Sequence, residues 1–381
     1  MFDDNICTRC GTCLESCPAI DLDITQAQEE IENLINGSSF IVEKCLVCGT
    51  CDLNCPEGLM PMGLIKDLKY DKMKELEKKG QISKLVKFIL PFSKPNFFEF
   101  YEETMMTSEE SANLKKWKSP AKSDELVLLG CAISYPMQNF YKNPTIEGLL
   151  KGKSLAGGVE FCCGEMYHRL CYPISKMEIE NRLYSKFSEL EVNKLLIFCN
   201  ECYEAYQTEY KKIAKDFDMM SIWEYIFKAI KSGELNITNE LNIKVTYHDP
   251  CSAKKHTELM KYPREIIKAT GVELIELKHN SENALCCGIA VGLNGLSAIE
   301  KIRKKRFKEI KQTGGEYILT TCPGCILNFA LDPRIQRKFK ILSVLDLLRF
   351  SCGEKIDLDK NPILINKLLN KALTTRPDLL I

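Results

Sequence analysis

Ten of the eleven cysteines from position 131 to 325 constrain this chain more than any other feature. They fall into two sets that share one order: a single cysteine, then Cys-Cys-Gly, then Cys-x-x-Cys. The first set is Cys131, Cys162-Cys163-Gly164 and Cys199-Asn-Glu-Cys202; the second is Cys251, Cys286-Cys287-Gly288 and Cys322-Pro-Gly-Cys325. The gaps are 30 and 35 residues in the first set, 34 and 34 in the second, and the sets are offset by about 120 positions. Each group closes an apolar run, predicted as a strand or strand-like approach: 126–130, 159–161, 195–198, 243–247, 283–285 and 317–320. Ligands in open α/β sheets collect beyond the carboxyl ends of strands, so three such loops can gather five thiols in one place. Buried core cysteines would have no reason to follow this order twice.

The first 56 residues carry Cys7-x2-Cys10-x2-Cys13-x3-Cys17-Pro and Cys45-x2-Cys48-x2-Cys51-x3-Cys55-Pro. This pattern resembles a two-cubane bacterial ferredoxin, in which three thiolates of each run bind one [4Fe-4S] cube and the fourth binds the other. The resemblance implies Cys7, Cys10, Cys13 and Cys55 for one cube, and Cys45, Cys48, Cys51 and Cys17 for the second. Zinc would be satisfied by two pairs and does not explain four thiols per run. Between the runs, Ile24, Ala27, Ile31, Leu34 and Ile35 repeat at helical spacing up to Gly37.

With 52 basic and 52 acidic residues the formal charge is zero, so composition offers no case for nucleic-acid binding. The acidic start, Met-Phe-Asp-Asp-Asn, lacks the apolar core of a signal peptide, and no apolar run is long enough to span a bilayer. The expected location is therefore cytoplasmic, with membrane association only through a partner. There, clustered thiols bind metal more often than they form disulfides.

The expected fold is a helical, α+β ferredoxin-type N-terminal domain with two [4Fe-4S] clusters, followed by a duplicated α/β pair. The predicted boundaries are 1–90 for the ferredoxin-like domain, 91–123 for an aromatic and proline-rich linker, 124–240 and 241–350 for the paired units, and 351–381 for a helical tail. Residues 61–90 predict one or two amphipathic helices. Phe92, Phe97, Phe98, Phe100, Tyr101 and Trp117 in the linker fit packing at the junction or an interface to a partner. Helices are expected over 178–190, 208–217 and 297–312. The last has Ile299, Ile302, Phe307 and Ile310 inward, Gly314 as its stop, and Arg303, Lys304, Lys305, Arg306 and Lys308 on an outer basic face.

Five thiolates, two of them adjacent, are too many for a cube, which takes one per iron. These residues are similar to the CCG-domain motif of heterodisulfide reductases; the second copy fits it and the first falls one residue short in its opening gap. The whole order, two ferredoxin clusters followed by two CCG motifs, resembles the D subunit of that enzyme family, equivalent to its C and B subunits joined in one chain. The resemblance implies two noncubane [4Fe-4S] clusters facing a common pocket. Cys131, Cys162, Cys163, Cys199 and Cys202 would hold one, and Cys251, Cys286, Cys287, Cys322 and Cys325 the other, all as ligands of substrate-reactive centres. Zinc in the first set stays open, because four thiolates are also a structural zinc site.

The implied activity is reduction of the coenzyme M–coenzyme B heterodisulfide or a related disulfide, an oxidoreductase reaction on sulfur groups. Cleaving a disulfide takes two electrons, so two one-electron centres flanking it match the chemistry. Lys254, Lys255, His256 and the 303–308 face are candidates to receive the substrate's anionic groups. His248 fits either a donor to a cluster or leaving thiolate, or a turn-stabilising hydrogen bond. His168 reads as structural, Cys171 and Cys352 as free thiols, and Gly288, Gly292 and Gly295 as points of close backbone approach. No flavin or nicotinamide motif occurs, so electrons would come from a partner, a flavoprotein or a membrane cytochrome b. The alternative keeps every ligand and makes the chain an electron-transfer component for a flavin-linked dehydrogenase or a thiol:fumarate reductase.

Overall fold

The computed structural model describes residues 2–289 and 296–379. Its α/β part is built on two four-stranded parallel sheets. The first has strands β1 (Glu125–Gly130), β2 (Ser154–Gly157), β3 (Lys194–Ile197) and β4 (Asp218–Ser221), in the order β2-β1-β3-β4. The second has β5 (Lys244–Tyr247), β6 (Glu273–Glu276), β7 (Tyr317–Thr320) and β8 (Lys340–Ser343), in the order β6-β5-β7-β8. The register pairs Leu126 with Leu195 and Ser154, and Thr246 with Ile318 and Ile275. β1 is apolar without alternation because both faces are covered; Leu126, Val127, Leu128 and Leu129 are buried. Each such side chain contributes about 1.5–3 kcal/mol.

In both sheets the strand order reverses direction between the first and third strands, which is where a crevice opens beyond the carboxyl ends. Cys131 follows β1 directly and Cys199 lies two residues past β3; Cys322 lies two residues past β7. Gly130 lets β1 end close to the next loop. At φ +78°, a Cβ there would stand 3.0 Å from Cys199 Cβ and 3.4 Å from Cys202 Sγ.

The approaches to the cysteine pairs differ from the sequence expectation. Residues 159–161 form a 3-10 turn, Val159–Phe161, and 283–285 follow another, Ser281–Asn283. The strands that precede the pairs are β2 and β6. Both are edge strands, half exposed and carrying Ser, Gly or Glu, so they lack the apolar run of a buried strand.

The N-terminal 90 residues are helical. Helices Thr12–Glu15 and Thr50–Leu53 each follow a left-handed glycine, Gly11 and Gly49. The residues two before those glycines, Arg9 and Val47, also have positive φ, 56° and 52°. Two non-glycine residues held this way at matched positions show backbone wrapped tightly around the thiols of both runs. Helix Ile24–Ile35 starts on an Asp23/Gln26 capping box and buries Ala27, Ile31 and Leu34. The basic stretch forms helices Pro61–Lys78 and Lys84–Ile89.

The linker aromatics lie on two helices, Phe97–Thr104 and Ser108–Lys118. Phe98, Tyr101 and Leu114 pack on Tyr135 beside Cys131, and Phe88 and Phe100 reach Leu368 of the last helix, Lys360–Thr375. Helices Ile222–Ser232 and Thr257–Ala269 pack across the two sheets, with the Phe227 and Tyr262 rings 5.5 Å apart. The basic helix is Leu296–Thr313, with Ile302 and Ile310 buried and Gly314 in the left-handed region at its end. The side chain of Ile299, and Gly292 and Gly295, lie outside the described residues. No helix among the described residues is long and apolar enough to cross a membrane.

Candidate iron–sulfur sites and the gap between them

The loops bring the twenty cysteines, none in a disulfide, into four thiol groups with two left over. In the N-terminal part Cys13 faces Cys7, Cys10 and Cys55, while Cys51 faces Cys45, Cys48 and Cys17. Burial pushes the Cys13 and Cys45 thiols up to about 12. Val47 N–H donates to Cys45 Sγ at 3.3 Å, and Lys69, almost fully buried, donates to the carbonyls of Val42 and Cys45 at 2.8 and 3.2 Å.

Each five-thiol set forms a contiguous chain of sulfurs. In the first, Cys131 meets Cys162 at 3.8 Å, Cys162 meets Cys163, Cys163 meets Cys202, and Cys202 meets Cys199. In the second the sequence of contacts is Cys251, Cys286, Cys287, Cys325, Cys322. Gly164 N–H donates to Cys162 Sγ at 3.4 Å, and Gly288 N–H to Cys286 Sγ at 3.3 Å. Hydrogen bonds from neighbouring thiols hold one sulfur of each pair well below the usual cysteine range, Cys162 by Cys131 and Cys163, and Cys287 by Cys286 and Cys325. In each pair the lowered thiol favours the thiolate form, which is the form that binds metal.

His248 tests whether these pockets fit an inorganic group. Its ring is fully buried, neither nitrogen has a hydrogen-bond partner, and one nitrogen lies with Cys287 Sγ and Cys325 Sγ within 4.8 Å of one another. Burial, followed by the charge of Arg306, holds it neutral. An unpartnered buried imidazole costs about 1–3 kcal/mol, and a polar group among the thiols would remove that cost. The ring makes no turn hydrogen bond and instead packs edge-on to Phe329 at 4.9 Å.

The two sets face each other through their Cys-x-x-Cys loops. Asn200 Nδ2 donates to Thr321 Oγ1 at 2.7 Å, and Trp223 Nε1 donates to Asn200 Oδ1 at 2.8 Å. The Glu201 carboxylate accepts from Cys199 at 3.3 Å in its own loop, from Cys322 at 3.0 Å across the gap, and from Ser252 at 3.4 Å. Arg169 reaches over from the first unit, donating to Cys251 Sγ at 2.9 Å and pairing with Glu165 at 2.9 Å. Burial pushes Glu165 up to about 7. Sequence reasoning passed over Glu165, Arg169, Glu201, Asn200 and Thr321. The available signal was Cys-Cys-Gly-Glu-x3-Arg, an i,i+4 pair directly behind a thiol pair.

The expected anion receptors are engaged elsewhere. Lys254 is buried and donates to Thr50 Oγ1 at 2.7 Å, Lys255 pairs with Asp52 at 3.0 Å, and His256 bonds to Glu204. Lys254 and Lys255 tie the second unit to the ferredoxin-like helix Thr50–Leu53, where Thr50 Oγ1 lies 3.4 Å from Cys48 Sγ. There Cys48, Cys251 and Cys286 share an apolar cluster with Leu46 and Ile302. The 303–308 stretch is not one outer face. Arg306 is fully buried on the carbonyls of His279 and Leu285, Arg303 bonds to Asn328, and Lys305 pairs with Asp21 at 2.5 Å. A cleft of about 430 Å³ on this ferredoxin side is lined by Ser16, Thr50, Lys278, Lys305 and Lys308, and by no cysteine of the five-thiol sets. His168 bonds to Tyr210 at 2.8 Å, burial holding it at about 4; Cys171 Sγ lies on His168 O and Cys352 Sγ on Asn236 O.

Two family models match: the 4Fe-4S dicluster domain over residues 1–56 and the cysteine-rich CCG domain over 245–330. The D subunit of the dihydromethanophenazine:CoB–CoM heterodisulfide reductase of Methanosarcina mazei is 23% identical, covering 93% of this chain and 95% of that protein. Over nearly its whole length the chain is similar to the heterodisulfide reductase D subunit. The corresponding protein of Methanosarcina acetivorans gives 22% over 90% and 91%. The EtfAB:quinone oxidoreductase of Syntrophomonas wolfei is 26% identical over 54% of this chain, which spans only 30% of that longer protein. This similarity supports an iron–sulfur oxidoreductase component.

Proposed function

We propose that this relative of the D subunit is the disulfide-reducing iron–sulfur component of a multi-subunit oxidoreductase. Residues 1–90 would hold two cubane [4Fe-4S] clusters, on Cys7, Cys10, Cys13 and Cys55 and on Cys45, Cys48, Cys51 and Cys17. The units 124–240 and 241–350, copies of one duplicated α/β unit, would hold two noncubane [4Fe-4S] clusters on their five-thiol sets. The matching strand orders and matching sulfur contacts support the duplication. The observation that carries the reading is the facing arrangement, in which one carboxylate, Glu201, touches a cysteine of each set.

Clusters at these positions supply single electrons, and reducing an S–S bond takes two. The chain's own residues set the geometry for that. Asn200, Thr321 and Trp223 hold the two loops in register through buried hydrogen bonds. Arg169 and Glu201 make the gap polar and charged, which orients a small polar substrate between the sets. Lys254 and Thr50 seat Cys48 beside Cys251 and Cys286, on the side where electrons from a partner protein would arrive.

Similarity points to the CoB–CoM heterodisulfide as the substrate class, since that is what the relatives' names state. The similarity to EtfAB:quinone oxidoreductase favours a second reading, a relay for a flavoprotein that cleaves no disulfide itself. Anaerobic oxidation of a reduced viologen dye by the cluster-loaded chain decides between them. About 16 iron atoms per chain are expected for four four-iron clusters. Turnover with the mixed disulfide, above that with simple disulfides, supports the first reading; full iron without turnover overturns it in favour of the relay.

A further inference from the structure

The two charged side chains that reach a cysteine of the other set, Arg169 and Glu201, both come from the first unit. Glu165 and Arg169 follow the first cysteine pair; at the same distances behind the second pair the sequence has Ile289 and Leu293. Asn200 and Glu201 fill the first Cys-x-x-Cys, against Pro323 and Gly324 in the second. The opening thiols therefore differ in surroundings. Cys131 lies against Phe98, Tyr135 and Val159, whereas Cys251 receives a 2.9 Å hydrogen bond from the Arg169 guanidinium. Arg169 is held by Glu165 behind it, and both side chains are nearly buried. Glu201 weighs on both Arg169 and Cys251, and Glu165 holds the arginine from behind.

We propose that Arg169 is a positioning residue that raises the reduction potential of the centre on Cys251, Cys286, Cys287, Cys322 and Cys325, making the two five-thiol sites inequivalent. The inference rests on the cluster assignment proposed above. Potentials of sulfur-ligated iron follow net charge, burial and hydrogen bonds to sulfur. A guanidinium on a ligand sulfur in a low-dielectric site stabilises the form with one more electron, so the neighbouring cation raises the potential. The donor comes from the first unit and the sulfur from the second, so the same contact also fixes the gap between them.

The test is an anaerobic redox titration followed by electron paramagnetic resonance on the full cluster-loaded chain. The Cys287→Ala variant identifies which signal belongs to the second site, with an expected loss of about four irons. In Arg169→Gln that signal should move to lower potential by about 59 mV, a ten-fold change in a one-electron equilibrium, with the other signals unmoved. Arg169→Lys should recover part of the shift by restoring the charge. An Arg169→Gln chain with full iron and an unmoved signal overturns the proposal. Where that variant loads poorly, Glu165→Gln is read instead: a smaller shift to lower potential supports the role, because losing the carboxylate charge alone would raise the potential, and no shift or a rise overturns it. A Cys287→Ala chain that loses neither iron nor signal would instead sink the cluster assignment, and with it the role of Arg169.

Discussion

The docking of the ferredoxin-like part rests in a measurable way on Glu209. This carboxylate accepts from Lys66 of helix Pro61–Lys78 at 3.0 Å and also pairs with Lys176 of the first α/β unit. Burial alone would raise its pKa, but the two lysines overcome that and hold it at about 2, against an ordinary value of 4.5. At 1.36 kcal/mol per unit the difference corresponds to about 3 kcal/mol. Lys176 is half exposed, so its share is discounted for screening, leaving about 2 kcal/mol. Because the folded pKa is depressed, this stabilisation is fully present above about pH 4.5 and is lost as pH falls towards 2. Replacing Glu209 by Gln should raise the population of the undocked state about 30-fold at pH 7. Native-state hydrogen exchange of the 61–78 amides on the loaded chain reads that population, and the ratio to wild type should be equal at pH 7 and pH 5.5. A ratio below about 3 at pH 7, under 0.7 kcal/mol, would refute the argument.

Two further substitutions probe the sites themselves. Gly130→Ala places a Cβ at 3.0 Å from Cys199 Cβ in a left-handed conformation, so it should cost about 1–3 kcal/mol and empty the first five-thiol site alone, which iron analysis would show as a loss of about four atoms. Asn200→Ala removes the partner of both Trp223 Nε1 and Thr321 Oγ1; a thermal melt should show a loss of about 1–3 kcal/mol, and iron content should stay unchanged because its side-chain hydrogen bonds go to Trp223 and Thr321 rather than to a cysteine.

What could be read in the sequence was local. β1, β3, β5 and β7 are apolar runs ending at cysteines, and their positions agree with the predicted runs within one or two residues. The edge strands β4 and β8 drew no prediction because the expected strands were the apolar runs leading to cysteines, and neither β4 nor β8 leads to one. Residues 159–161 and 283–285 were apolar enough to pass for strands, while their true neighbours, Ser154–Gly157 and Glu273–Glu276, were not. Lys254 and Lys255 read as anion receptors because their partners, Thr50 and Asp52, are about 200 positions away and meet them only on docking. The basic helix misled for a similar reason: helical spacing places Arg306 beside other cations, but a chain of carbonyl acceptors at His279 and Leu285 draws it inward.

The two α/β units share strand order and sulfur contacts and differ in what surrounds the sulfur, and that difference has a consistent direction. The second unit is turned to the ferredoxin-like part, through Lys254 on Thr50, Lys255 on Asp52 and Cys286 beside Cys48. The first unit has Phe98, Tyr101 and Leu114 over Cys131 and no such contact with the cysteines of the N-terminal part among the described residues. It contributes Arg169 and Glu201, which reach the cysteines of the second. A symmetric pair would make the same polar contacts in both directions, and the replacements Ile289, Leu293, Pro323 and Gly324 prevent that. The unit nearest the ferredoxin-like part therefore has its sulfur environment set by the other one. Placing Glu and Arg at 289 and 293 would not recreate the arrangement in the first site, because Cys131 is already covered by aromatic rings where Cys251 is open to a guanidinium.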